Sequence, residues 1–164
     1  MRSYTPALLV ILTDRISKWL VTQNMSLGES ISLMGNNLVR LTYVQNPGIA
    51  FGIRLIPPGF LAVFSAVTSI VLIAYIYHLR HDKTLIKIPL SLILGGALGN
   101  LIDRILYGQV IDFIDVDFPD FITTRWPVFN VADSSVTVGM VFLAFFLVFL
   151  SNRDAATPAS PPAL

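Results

Sequence analysis

PPGFLAVFSAVTSIVLIAYIYH, residues 57–78, is the central part of a 25-residue stretch between Arg54 and Arg80 without Asp, Glu, Lys or Arg. A helix over that stretch crosses a hydrocarbon core of about 30 Å. SSVTVGMVFLAFFLVFLSN at 134–152 is again uncharged and of spanning length. The fold class is therefore that of a polytopic α-helical membrane protein. Composition agrees: 54% of the 164 residues are hydrophobic and 13% charged, where a soluble domain has roughly a quarter charged.

Two further stretches are apolar but carry charge. Residues 88–102 meet Asp103 and Arg104 in a helix that reaches about Tyr107, and residues 4–23 are interrupted by Asp14, Arg15 and Lys18. An ion at the centre of a span costs roughly 2.5 to 3.5 kcal/mol, so such residues pair or face a protein interior. Asp14 and Lys18, four apart, share one helix face; Asp103 and Arg104 are read as an ion pair. Arg2 ahead of an apolar run resembles a signal peptide, but the charges at 14, 15 and 18 stand where a small-residue cleavage site belongs. The reading is four transmembrane helices, at about 4–23, 57–78, 87–107 and 131–151, in one membrane-embedded domain over 1–154. A disordered tail follows at 155–164.

Lys and Arg near the span ends set the orientation. Arg80, Lys83 and Lys87 crowd the second connection, whereas the third, beyond Leu106, carries Arg125 among Asp112, Asp115, Asp117 and Asp120. This places both termini in the cytoplasm and the external segments, 25–56 and 108–130, on the outer face. Leu38 to Val44 reads as a strand, NPG at 46–48 as a turn and IAFGI at 49–53 as a returning strand, giving a small extracytoplasmic β-sheet. With a net charge of +1 and no cysteine, nucleic acid is not a partner, and thiolate chemistry and disulfides are excluded.

Polar residues gather at the outer ends of the spans. Asn100, Asp103 and Arg104 end the third helix, Asn130 and Asp133 open the fourth, and Asp112 lies between. Asn130 with Asp133 also reads as a helix cap and capping-box start; Gly95 and Gly99 read as close helix packing; Trp19, Tyr107 and Trp126 read as interfacial anchors. Two neighbouring carboxylates resist double ionisation and can work as acid and base on a water. That makes Asp112 with Asp133 a candidate peptidase dyad, with Asp115, Asp117 and Asp103 as alternative partners on charge alone. The rival class is a small membrane transporter or channel subunit.

TDRISK at 13–18, NPGIAFG at 46–52, GGALGNLIDR at 95–104, GQVIDF at 108–113 and FNVADS at 129–134 together resemble the bacterial lipoprotein signal peptidase (signal peptidase II) family, over residues 8–151. The resemblance implies an aspartic endopeptidase of the bacterial inner membrane that cleaves diacylglyceryl-modified prolipoproteins before the lipidated cysteine, without metal or cofactor. It implies Asp112 and Asp133 as catalytic residues, supported by Asn100, Arg104 and Asn130. Asn46, Gly48, Ala50 and Phe51 then belong to a substrate cradle, Asp14, Lys18 and Asp103 are structural polar residues, and a short loop or helix covers the site. Membrane lipids are its surroundings, and substrate-mimicking cyclic peptide antibiotics its expected inhibitors.

Overall fold

A computed structural model describes residues 2–34, 38–48, 58–81, 85–117 and 125–156. Four long helices dominate it: α1 (Thr5–Asn24), α2 (Pro58–His78), α3 (Lys87–Tyr107) and α4 (Val131–Ala156). Three strands form one antiparallel sheet of order β1 (Ser30–Ser32), β2 (Val39–Asn46), β3 (Val110–Val116). Two single turns of 3-10 helix stand at Arg2–Tyr4 and Leu79–His81. The chain is a mostly helical, multi-spanning membrane protein with a small sheet.

By length and composition Gly59–His81, Lys87–Tyr107 and Val131–Val148 are long and apolar enough to span a bilayer. The first helix carries too many charges for that test, and burial explains how it belongs with the others. Leu8, Leu9, Leu12, Ile16, Trp19 and Leu20 are exposed on α1, while Asp14 and Lys18 are buried. A helix with its ions inside and its leucines outside suits lipid rather than water.

The third helix packs against the other three, and its glycines set the distance. A Cβ on Gly95 would stand 2.8 Å from Val10 Cβ and 2.9 Å from the Ala7 carbonyl oxygen of α1; one on Gly96 would meet Val136 Cγ2 at 2.6 Å and Ser135 Oγ at 2.7 Å on α4. The GxxxG reading is thus a packing motif, with α1 on one side and α4 on the other. Gly108, at φ +73°, ends α3 in the left-handed conformation, its N–H bonded to the Arg104 carbonyl. The chain then enters β3 at once.

Connectivity puts the sheet, the C-terminal ends of α1 and α3 and the start of α4 at one end of the bundle. The α2 to α3 connection lies at the other. The expected strand at 38–44 is β2, but β3 pairs along it, from Val39↔Val116 to Asn46↔Val110. Two residues advance from Asp112 to Ile114 while β2 advances three, from Val44 back to Leu41, which is a bulge beside Asp112. The 49–53 strand lies outside the described residues, as does most of the expected covering loop or helix. β1 has no counterpart in the sequence reading, since three residues are too few for a periodic signal. The fourth helix runs five residues past its expected end at 151, since no Gly or Pro interrupts it before Pro158. The remaining tail, 157–164, is outside the described residues.

Gly96→Val should lower the thermal midpoint of the detergent-solubilised protein by the equivalent of about 1–3 kcal/mol, the usual penalty of overpacking. Gly59→Ala, where an added Cβ meets nothing within 4 Å, should leave that midpoint unchanged.

Candidate active site

Asn130 is the N-cap of α4 and closes a reciprocal capping box. Its Oδ1 accepts the Asp133 N–H at 2.9 Å, and its own backbone N–H donates to Asp133 Oδ2 at 3.1 Å. The sequence reading of this pair as a cap is correct, and it fixes the Asp133 carboxylate against the first turn, where the partial positive charge of the helix end favours an anion. The other oxygen, Asp133 Oδ1, accepts from Asn100 Nδ2 at 2.7 Å.

Because its Oδ1 is committed to the cap, the Asn130 amide must turn its Nδ2 away from α4. That nitrogen donates to Asp112 Oδ1 at 2.6 Å, and also lies 3.1 Å from Asn100 Oδ1 and 3.2 Å from the Ile111 carbonyl. Asp112 Oδ2 accepts from Asn46 Nδ2 at 3.0 Å. Asn46 is locked in its turn: its Oδ1 accepts the Gly48 N–H at 3.0 Å, an Asx-turn that leaves only the NH₂ group to face Asp112. Asp112 stands in a paired strand, β3.

The two carboxylates open on one cavity of about 600 Å³. Asn46, Gly48, Asn100, Arg104 and Val110 line it, together with Trp126 to Phe129, Ser134, Val136, Thr137 and Val138. Its walls are thus mainly apolar, with the polar groups concentrated near the acids. Arg104 reaches Ser65 Oγ of α2 and the Asn100 carbonyl oxygen, both at 3.4 Å. Trp126, read from sequence as an interfacial anchor, is a wall of this cavity. Ala50 and Phe51 lie outside the described residues.

Burial raises the Asp112 carboxyl to about 7, and the charge of Asp133 pushes the same way. The amide donors Asn46 and Asn130 and the more distant Lys18 charge pull it back only in part. Near neutral pH the group is therefore divided between its acid and base forms.

The alternative acids are occupied elsewhere. Asp115 Oδ1 pairs with Arg125 Nε at 2.6 Å and its Oδ2 accepts from Thr42 Oγ1 at 2.6 Å; Asp117 pairs with Arg125 Nη1 at 3.1 Å. Asp120 is outside the described residues. Asp103 does not pair with Arg104, because consecutive helical residues point about 100° apart. It binds Arg15 and Lys18 of α1 and accepts the Ile111 N–H at 3.2 Å. Asp14 and Lys18 pair as expected, at 2.8 Å. The role of Arg15 was not foreseen, although it stands beside Asp14 in the same charged cluster. Among the described residues no three acidic or histidine side chains gather as metal ligands.

A family model described as signal peptidase (SPase) II matches residues 6–149. The lipoprotein signal peptidase of Halalkalibacterium halodurans is 43% identical over 156 residues, covering 93% of this chain and 94% of that relative. That of Moorella thermoacetica is 36% identical over 152 residues, covering 93% and 96%. A bacterial membrane enzyme solved by the in meso method at 2.3 Å superimposes with a TM-score of 0.81 at 28% identity, covering 97% of this chain and 94% of that one. A second, at 1.9 Å, gives 0.72 at 34% identity, covering 89% and 92%.

Folding raises the pKa of Asp112 from 3.8 to about 7, so the protonated form favours the folded state. That contribution is complete below about pH 4 and is lost as pH rises through about 7. Asp112→Asn carries no such loss. Its thermal midpoint, whatever its offset from the parent, should gain on the parent's between about pH 5 and pH 8.5, as read by unfolding scans in detergent; a constant gap would contradict the shift.

Proposed function

The chain belongs to the signal peptidase II family, and from that premise we propose that Asp112 and Asp133 are the catalytic dyad with which it cleaves lipoprotein precursors. It is a membrane aspartic endopeptidase, and the rival transporter or channel reading falls with that membership. The observation that carries the assignment is Asn130, whose side chain donates to Asp112 and whose backbone donates to Asp133, two acids that line one cavity.

In the proposed reaction the pair holds one proton and a water. The ionised member takes a proton from that water as its oxygen attacks the scissile carbonyl; the protonated member donates a hydrogen bond to the carbonyl oxygen. The tetrahedral intermediate then collapses as a proton passes to the departing nitrogen. Water is the nucleophile, so no acyl-enzyme forms. The pKa of Asp112, near 7, suits exchange of a proton in either direction. Arg104 supplies a positive charge on the cavity wall, and Asn46, Asn100 and Asn130 hold the acids in place.

The substrate is a prolipoprotein with a diacylglyceryl-modified cysteine, cut immediately before that residue. Its acyl chains stay among the membrane lipids while the signal helix enters the bundle, so confinement replaces a soluble binding domain. Gly48, with Ala50 and Phe51, belongs to the cradle that receives it, and Asp14, Lys18 and Asp103 serve as structural ions. Residues 1–154 act as one membrane-embedded unit. Lys and Arg at 80, 83 and 87 hold the opposite end of the bundle in the cytoplasm, with both termini, and the dyad faces outward. Cyclic peptide antibiotics that mimic the substrate compete for the same cavity.

Asp112→Asn and Asp133→Asn should each lower kcat/KM at least about 10³-fold on a diacylated precursor, with the protein still inserted in the membrane. Appreciable processing by either purified variant would defeat the dyad. The parent enzyme should cleave a diacylated precursor and spare its undiacylated form; equal turnover of both would point to a general membrane peptidase.

A further inference from the structure

The side chain of Lys18 is 1% exposed, and its ammonium lies against three oxygens: it donates to Asn100 Oδ1 at 3.0 Å and forms ion pairs with Asp103 Oδ2 at 2.7 Å and Asp14 Oδ2 at 2.8 Å. Each acceptor is bonded onward to a different part of the site. Asp14 Oδ1 accepts the Ala132 N–H in the first turn of α4, at 3.1 Å. Asp103 Oδ2 accepts the N–H of Ile111, the residue before Asp112. Asn100 Nδ2 donates to Asp133 Oδ1.

We infer that Lys18 is a positioning residue for the peptidase reaction: its bond to Asn100 Oδ1 sets the sense of that amide and so holds an N–H donor, not an oxygen, against Asp133. The inference rests on the reading of Asp133 as half of the dyad. An amide is nearly symmetric in shape, so packing alone cannot choose between its two orientations. Asn130 Nδ2 adds a weaker vote, because it also donates toward Asn100 Oδ1 but is shared with Asp112 and the Ile111 carbonyl. Lys18 has only donors, so the oxygen must face it. A flipped amide would present its oxygen, an acceptor only, to a carboxylate oxygen, leaving two acceptors face to face with no hydrogen between them.

Charge neutralisation and positioning make different predictions. Lys18→Met leaves Asp14 and Asp103 short of a cation, so loss of activity in that variant alone would not separate the two roles. In Lys18→Met/Asp14→Asn one anion is removed with the cation, which restores charge balance but not the bond to Asn100. The double variant should retain membrane assembly and show kcat reduced about 100-fold with KM within about threefold of the parent. A folded double variant with parental kcat would overturn the proposal.

Asn100→Asp tests the same point without touching Lys18. It keeps an oxygen for the ammonium but turns a second oxygen toward Asp133. Among the described residues, Arg104 and Asp112 act on Asp133 directly, and Lys18, with Asp14 and Asp103 paired to it, acts on Asn100. With these unchanged, the added acid should move the alkaline limb of the kcat profile to higher pH and reduce kcat about 100-fold. An Asn100→Asp enzyme with parental rate and profile would show that amide sense is immaterial, and would overturn the proposal even if the double variant did not fold. Activity of Asp133→Asn would instead remove the dyad on which the inference stands, so the two failures are distinguishable.

Discussion

An ion held inside a thin bundle of helices in lipid has no water to fall back on, and every bond it needs must come from protein. Lys18 and Asp14 meet that constraint on α1, and much of the architecture follows. Four residues apart, they form one polar stripe on a helix whose exposed large side chains are leucine, isoleucine and tryptophan. The stripe must face protein, which fixes the rotation of α1. It must also reach acceptors on α3 and a backbone donor on α4, which requires a close approach. Gly99 permits it: a Cβ there would stand 2.8 Å from Asp14 Oδ2. Packing and ion satisfaction are therefore one requirement seen from two sides.

The start of α4 joins a stabilising device to half of the proposed dyad. A capping box usually needs only to satisfy two orphan N–H groups at a helix end. Here the acid of the box lines the cavity, and the amide of the box uses its free NH₂ to reach a second acid on another element. Reading Asn130 and Asp133 as a cap or as part of a site is thus no contradiction. The cap immobilises Asp133 at no extra cost in ordering, and the rigidity a site needs comes from the helix end itself.

Local physics made part of this legible in the sequence. The spans follow from the lengths of uncharged runs, the Asp14 and Lys18 pair from helical spacing, the cap from Asn130 and Asp133, and the role of Gly95 and Gly99 from their interval. What escaped depends on contacts distant in the chain. Nothing near Asp103 announces that its partners are 88 and 85 positions earlier, at Arg15 and Lys18. Nothing in VIDFIDVD separates Asp112 from Asp115, since the separation comes from Thr42 across the sheet and Arg125 beyond the strand. Charge reasoning made Asp112 a candidate and left Asp115, Asp117 and Asp103 open beside it; the resemblance to a known family is what singled it out. β1 escaped for a different reason: it is three residues long and held by pairing with β2, not by a pattern of its own.

The partners of the acids divide by chemical kind, and the division has a physical purpose. Asp14, Asp103, Asp115 and Asp117 are each paired with a cation. Among the described residues no ion pair reaches Asp112 or Asp133; their bonds come from the amides of Asn46, Asn100 and Asn130 and from one backbone N–H. A cation in contact acts directly on the charge of a carboxylate. Neutral amides fix position while weighing far less on protonation, so burial and the neighbouring acid are free to carry Asp112 to about 7. Arg104 stays within the cavity but is bonded to a hydroxyl and a backbone carbonyl, not to either acid. On the proposed assignment, the two acids that exchange a proton are the two held by neutral donors, which fix their place and leave their charge open.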